Sequence, residues 1–392
     1  MAQPLRVALL VDTSTGWSSQ VIQGVGQYVR QHTRWLLFIE PRGALERLRV
    51  PRHWQVDGII ARVTDRSLAG DLRRRQVPVV NVSWSRPGRY HFPQVVPDQQ
   101  AVGRLAALHF LERGFRHFAY CGLPQQPNYF DECEPAFAAE LAQHGFTCQS
   151  FSPGSTRPAH RAVTVPNLSR WLKSLASPIG VLAWDAERGR EVTDAAWACG
   201  VRVPEDVAVL CGEDDPLLCE ISNPPLSCID QQPRLVGYEA AALLDRLMAG
   251  RRPPKQPMLI APTRIVIRQS TDTLALEDRE VAEAVRYIRQ HADQPITVES
   301  VLAAVPLSRR ALEQRFQRLL GRSPAAEIRR MRIERASELL AMTDWSIPQV
   351  AAAAGFAHTE VMNRVFRREL RQTPTAYRRQ ARRADSKGTS ER

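Results

Sequence analysis

The strongest constraint in this sequence is a change of pattern near Ser270. Before it, short apolar runs alternate with amphipathic stretches; after it, only helical stretches follow. The apolar runs fall at 5–11, 35–39, 58–63, 77–82, 118–121, 180–183 and 207–211, with a last strand near 264–268. Between the first two, Val21, Ile22, Val25, Tyr28 and Val29 recur at helical spacing. Further helical stretches lie at 102–111, 137–143, 187–199 and 237–248, and Gly114, Gly145 and Gly250 stand where helices stop. Such alternation predicts an α/β body of parallel strands joined by helical crossovers. The expected organisation is a body over 1–270, a linker and first helical turns over 271–285, an all-α domain over 286–380 and a mobile tail over 381–392.

Composition narrows the function classes. With 44% hydrophobic and 24% charged residues, the chain has enough apolar side chains for folded cores and is not globally disordered. No uncharged apolar run reaches the ~18 residues of a membrane span, and the N-terminus lacks the layout of a secretory signal. The seven Cys form no paired zinc spacing, so they are expected to be reduced cytoplasmic thiols, with no metal and no cofactor. GxGxxG, Walker, GxSxG, HExxH and CxxC patterns are all missing, which counts against an enzyme. The net charge of +12 is concentrated at one end. Residues 301–392 hold 19 basic and 9 acidic side chains, whereas the preceding 300 hold 34 and 32. A basic quarter on a nearly neutral body fits a polyanion partner, and on charge alone a solvated Arg-rich helical face fits as well.

Motifs in that quarter separate the two readings. Val298, Val301, Leu302 and Val305 make one apolar stripe, Pro306-Leu307-Ser308 a turn, and Leu312, Phe316, Leu319 and Leu320 the buried face of a second helix capped by Ser308. Arg310, Glu313, Gln314 and Gln317 belong to the part left outside. A second copy follows: Ile347, Val350, Ala351 and Ala354 behind Ser346, a Gly355-Phe356 turn, and a helix over 359–370. Its Met362, Val365 and Phe366 face inward, while Thr359, Glu360, Asn363 and Arg367 face out. A long helix over 325–342 joins the copies. One αα-hairpin is a weak signal, but two in the basic quarter suit successive major grooves on one face of DNA.

Residues 296–379 resemble the DNA-binding domain of the AraC/XylS family of transcription regulators. The resemblance rests on 307–316, on Gly321-Arg322-Ser323-Pro324, on Ser346-Ile347 with Val350-Ala351, on Gly355-Phe356, on Phe366-Arg367-Arg368, and on Thr373-Pro374 with Tyr377-Arg378. Met362 replaces the usual Phe and Arg371 the usual Gly. The resemblance implies base contacts from Arg310, Glu313 and Gln314 with Arg309 beside them, and from His358, Thr359, Glu360 and Asn363. Arg364, Arg367 and Arg368 would meet phosphate.

The body resembles the ligand domain of LacI-type repressors, which is similar to periplasmic sugar-binding proteins. Pro97-Asp98 through Val102-Gly103, 203–209, 224–227 and Gly237-Tyr238-Glu239-Ala240-Ala241 carry the likeness. This implies two lobes of parallel sheet with helices on both faces. A LacI-like body ahead of an AraC-type domain is the arrangement of the xylose operon regulator group. Ligands in open α/β bodies sit at strand C-terminal ends. The candidate ligand residues are therefore Asp12, Ser14, Trp17, Ser18, Trp84, Asp185, Glu213 and Asp214, with Asp215 beside them and with Cys133 where the group usually has Arg. Carboxylates accept sugar hydroxyl hydrogens and Trp rings cover C–H faces. Each of these residues has an ordinary alternative use, as a helix cap or core side chain. Cys133, Ser19 and the Glu213-Asp214 pair depart from the group, so xylose, another sugar, a different ligand and a degraded pocket all stay open.

The expected function is a cytoplasmic, ligand-responsive, sequence-specific transcription regulator of carbohydrate use, an activator rather than an enzyme. Its expected partners are double-stranded DNA, a small sugar such as xylose, a second copy of itself and RNA polymerase. An α/β enzyme with an accessory DNA-binding domain and a sugar-transport protein are the competing classes. Arg310→Ala should weaken specific DNA binding and relax one base position by about 1–3 kcal/mol. Unchanged affinity and base preference in a gel-shift series would remove Arg310 from base readout.

Overall fold

A computed structural model describes residues 4–43, 46–51, 53–85, 91–123, 130–152, 161–272 and 278–379. The chain falls into two compact units, Met1–Asp272 and Thr273–Arg392. The tail over 381–392 lies outside the described residues, as does 273–277 within the expected linker.

The first unit has two lobes. In the first lobe, β1 (Arg6–Leu10), β2 (Leu36–Ile39), β3 (Gly58–Ala61) and β4 (Val79–Asn81) form a parallel sheet in the order β2-β1-β3-β4. Val7 to Leu10 are all buried, as expected for a central parallel strand covered on both faces. Two helices follow strands here, α1 (Gly16–His32) after β1 and α2 (Arg66–Arg74) after β3. A short strand, β5 (Val95–Pro97), ends this passage.

The second lobe contains β6 (His117–Cys121), β7 (Cys148–Phe151), β8 (Ile179–Ala183), β9 (Val207–Cys211) and β10 (Ser227–Asp230). Its helices are α3 (Gln99–Glu112), α4 (Cys133–Gln143), α5 (Arg161–Ser174), α6 (Ala186–Cys199) and the short α7 (Pro216–Ile221). The chain then returns to the first lobe as α8 (Pro233–Met248) and β11 (Met258–Ile260), which pairs with β5. It ends in the second lobe as β12 (Arg264–Val266). The second sheet has the order β12-β10-β9-β8-β6-β7. All its pairs are parallel except β12 against β10, an antiparallel edge that the alternation of runs did not foretell.

The return of α8 is fixed by a backbone-to-backbone contact. A Cβ on Gly24 would lie 1.9 Å from the carbonyl oxygen of Arg234, and one on Gly237 would lie 2.0 Å from that of Val21. Helices α1 and α8 therefore meet at a spacing that only glycine allows at both positions. They share one core with the first sheet through Val21, Val25, Val236, Ala240 and Leu244.

The second unit is helical: α9 (Arg279–Gln290), α10 (Val298–Ala304), α11 (Arg309–Leu320), α12 (Pro324–Met342), α13 (Ile347–Ala353) and α14 (Thr359–Leu370). Both serine caps occur where the sequence places them. Ser308 accepts from Ala311 N, and Ser346 accepts from Gln349 N within a capping box. Two cores divide the unit. One gathers Val281, Ile288, Val301, Leu312, Phe316 and Ile328, the other Ile333, Leu340, Val350, Met362 and Phe366. Helix α12 serves the first core with its N-terminal half and the second with the rest.

The two halves are also tied directly. Arg332 Nη2 donates to the carbonyl oxygens of Gln294 (3.2 Å) and Ile296 (2.8 Å), and its guanidinium lies 5.9 Å from the Phe356 ring centre. Beside it Gly355, at φ +72°, leaves no room for a Cβ, which would stand 2.4 Å from the Ala292 carbonyl oxygen. Met362 is fully buried, so sulfur fills the space of the usual ring. Arg371 ends α14 at φ +53°, a left-handed conformation that costs a side-chain-bearing residue energy. Arg371→Gly should stabilise the chain by about 0.5–1 kcal/mol. Denaturant unfolding followed by circular dichroism measures it, and an unchanged midpoint would mean the strain is relieved elsewhere.

Candidate effector cleft and DNA-facing helices

The strand ends of both lobes point charged side chains at one another. Asp12, just past β1, is 3% exposed and its carboxylate gathers four donors. Thr15 N (3.1 Å), Thr15 Oγ1 (2.9 Å), Ser18 Oγ (2.7 Å) and Arg62 Nη1 (3.2 Å) all donate to it. Burial disfavours its charge, but the Ser18, Arg62 and Thr15 donors outweigh that and hold the carboxyl below its ordinary range. Arg62 also lies 5.4 Å from the Trp17 ring centre, within cation–π range. Trp17 and Ser18 belong to the first turn of α1, whose cap is Thr15. Ser14 is exposed.

From the second lobe come Asp185, after β8, and Glu213 and Asp215, after β9. Asp185 caps α6 by accepting from Arg188 N at 2.8 Å. Burial pushes its carboxyl up. Burial also pushes Glu213 up, to about 8, with the charges of Asp185, Asp215 and Asp12 adding and that of Arg62 opposing. Asp215 caps α7 through Leu218 N and also accepts from Gly16 N at 2.8 Å. That bond joins the two lobes at the first residue of α1.

Three candidates sit apart from this group. Trp84 is buried and spends its Nε1 on the Pro97 carbonyl oxygen at 2.9 Å. Cys133 opens α4 and packs against α3, where a Cβ on Gly103 would meet its carbonyl oxygen at 2.5 Å. The charges acting on its thiol are those of Asp131 and Glu134, and burial pushes the thiol up. Asp214 turns into the second lobe, where the Cys228 thiol donates to it at 2.9 Å. The sequence reading missed Arg62, although it obeys the same rule as the others, since it follows β3 directly. Asp215, which the same rule picks out after β9, is tied across the lobes by its contact with Gly16.

In the helical unit, α11 presents Arg310, Glu313 and Gln314 to solvent. Arg309 is exposed too, but it is engaged by Glu299 at 2.5 Å and Glu313 at 3.3 Å. On α14, Glu360, Arg364, Arg367 and Arg368 are exposed and Thr359 and Asn363 half-buried, with the exposed His358 at the cap position. Arg315 stays on the inner side, paired with Asp278 at 3.0 Å.

Both units of the chain have counterparts in known proteins. Family models match residues 6–101 as a XylR N-terminal domain, 107–271 as a periplasmic binding protein-like domain and 301–380 as a helix-turn-helix domain. The chain is 31% identical to the xylose operon regulatory protein of Escherichia coli (strain K12), over 95% of this chain and 96% of that one. The chain belongs to the xylose operon regulatory protein family. The Haemophilus influenzae member is 30% identical over 96% of this chain and 98% of its own. The solved structure of the xylose-binding transcription activator xylR has 30% identity and a TM-score of 0.66, covering 96% of this chain and 98% of that one. Membership makes this protein a ligand-responsive DNA-binding transcription regulator with a LacI-like body and an AraC-type domain, not an enzyme. Among the described residues no helix is long and apolar enough to cross a membrane.

The raised Glu213 gives the cleft a pH signature. Its folded carboxyl holds a proton that an unfolded one releases above about pH 4.5, so its contribution to stability is complete below that and fades as pH rises toward 8. Glu213→Gln should therefore gain in melting temperature over the parent as pH goes from 5.5 to 8.5. Parallel melting curves at both pH values would mean Glu213 is charged throughout.

Proposed function

We propose that the protein is a cytoplasmic, homodimeric activator that binds a small sugar between the lobes of its first unit and reads promoter DNA with α11 and α14. The observation that carries this is the convergence of Asp12, Asp185 and Glu213 from two lobes around Arg62 and the Trp17 ring. Carboxyl oxygens accept from sugar hydroxyls, a guanidinium donates to ring and hydroxyl oxygens, and an indole face covers C–H groups. Relatives named for xylose make xylose the first ligand to test. Cys133 cannot supply the paired donors of the Arg usual there, and Arg62 offers a guanidinium from another strand end instead.

Sugar binding transmits to DNA through different affinities of the two protein states for the ligand. On α11 the base-reading set is Arg310, Glu313 and Gln314, with Arg309 beside them. On α14 it is His358, Thr359, Glu360 and Asn363, with Arg364, Arg367 and Arg368 on phosphate. Paired half-sites call for a homodimer, and activation calls for contact with RNA polymerase.

A thermal-shift panel of pentoses, hexoses and sugar acids, xylose included, tests the cleft, because a ligand of the folded state raises the melting temperature. Asp185→Asn keeps an α6 cap but removes the charge. The shift given by the parent's best sugar should vanish in this variant while DNA binding persists. A full response in Asp185→Asn would move the ligand out of this cleft, and silence of the parent across the panel would favour a non-sugar effector.

A further inference from the structure

Beneath the loop that carries Glu213 and Asp215, three thiols and a carboxylate gather inside the second lobe. Cys211 ends β9, Cys219 lies in α7, Cys228 lies in β10, and all three are fully buried. Asp214 joins them from the loop. One donor atom each from Asp214, Cys219 and Cys228 lie within 4.8 Å of one another. Cys211 and Cys228 both act on the Cys219 thiol, and Cys228 donates to Asp214 Oδ1 at 2.9 Å. Arg268 closes the group. Its Nη1 donates to Cys228 Sγ at 3.0 Å and to the Leu226 carbonyl oxygen at 2.9 Å, and its Nη2 is 3.9 Å from Asp214.

A cysteine used only as a small apolar side chain needs no such company. Here the sulfurs point at each other and at an ionisable oxygen, in the donor set of a tetrahedral thiophilic ion. Zinc takes thiolates at about 2.3 Å and carboxylate oxygen at about 2.0–2.2 Å, so its donors stand roughly 3.5–4 Å apart. Contraction of about an ångström brings Asp214, Cys219 and Cys228 there. Two thiolates, a carboxylate and a divalent ion leave excess negative charge, which Arg268 offsets while its N–H orients a sulfur. The spacing hides the group in the sequence: seven and eight residues separate the cysteines, unlike the short pairs of zinc fingers.

We propose that Cys219, Cys228 and Asp214 form a binding site for one thiophilic divalent metal ion of the zinc class, with the fourth position open to water. Binding releases the thiol protons to solvent and involves no change of oxidation state. Through Asp214 and Cys219 the ion ties down both ends of the segment that bears Asp215, the residue bonded to Gly16 of the opposite lobe. Metal occupancy thereby stiffens one wall of the cleft, whatever ligand the cleft holds.

Full-length protein, reduced and stripped by a chelator, is titrated with Co²⁺. One equivalent should bind with near-ultraviolet thiolate-to-cobalt charge transfer and the visible bands of a tetrahedral ion, and Zn²⁺ should displace it. Cys199→Ser, outside the cluster, should bind normally. Cys219→Ser and Cys228→Ser should lose affinity about tenfold or more. Asp214→Asn keeps all three thiols and should weaken binding and shift the visible bands, which serves if a serine variant fails to fold. Absence of charge transfer in the parent protein overturns the site, as does its survival when Cys219 and Cys228 are replaced together.

Discussion

Carboxylates brought together out of water repel one another, and this repulsion governs the first unit. Asp12, Asp185, Glu213 and Asp215 come from the strand ends of two lobes, yet Arg62 is the guanidinium acting on Asp12, Asp185 and Glu213 together. Each carboxylate copes differently. Asp12 collects four donors and stays charged. Asp185 and Asp215 spend theirs on helix N-termini, where the backbone offers unpaired N–H groups. Glu213 has no comparable support and takes up a proton instead. A polyhydroxy ligand entering here would bring the donors that the protein lacks.

The second unit answers a different demand. Each helix-turn-helix is too small to bury a stable core unaided, so both lean on α12. A helix that serves two cores must turn apolar residues to different sides along its length, which blurs its amphipathic pattern. Ile328 and Ile333 illustrate this, five positions apart and assigned to separate cores. Buried Glu327, held by Arg322 and Arg330, anchors the N-terminal half. Burial opposes its charge, but the two guanidiniums keep the carboxyl low.

What the sequence revealed depended on how directly physics writes a feature into the chain. Central parallel strands are buried on both faces, so β1, β3, β8 and β9 stand out as apolar runs. Strands β7 and β10 do not: Cys148–Phe151 is half exposed, and Ser227–Asp230 includes polar residues engaged by the neighbouring backbone and side chains. The serine caps and the helices α11 and α14 were legible because capping chemistry is local. The cleft was legible as far as the strand-end rule reaches, through Asp12, Asp185 and Glu213. Position along the chain could not tell that Asp214 turns inward while Asp215 crosses to Gly16. Nor could it tell that Cys133 packs between helices.

The seam between the two helix-turn-helix halves has a consequence for the DNA. Gly355 lies against the Ala292 carbonyl, and Arg332 grips the backbone ahead of α10. With no slack there, α11 and α14 are held at a fixed separation. If both read DNA as proposed, the pair registers the rotational phase of the duplex as well as its bases. Inserting about five base pairs between the two contacted segments would turn the second groove to the far side of the helix, about half a turn away. No adjustment inside the protein could follow it there. Spacing thus becomes part of the operator's message, written in no single base.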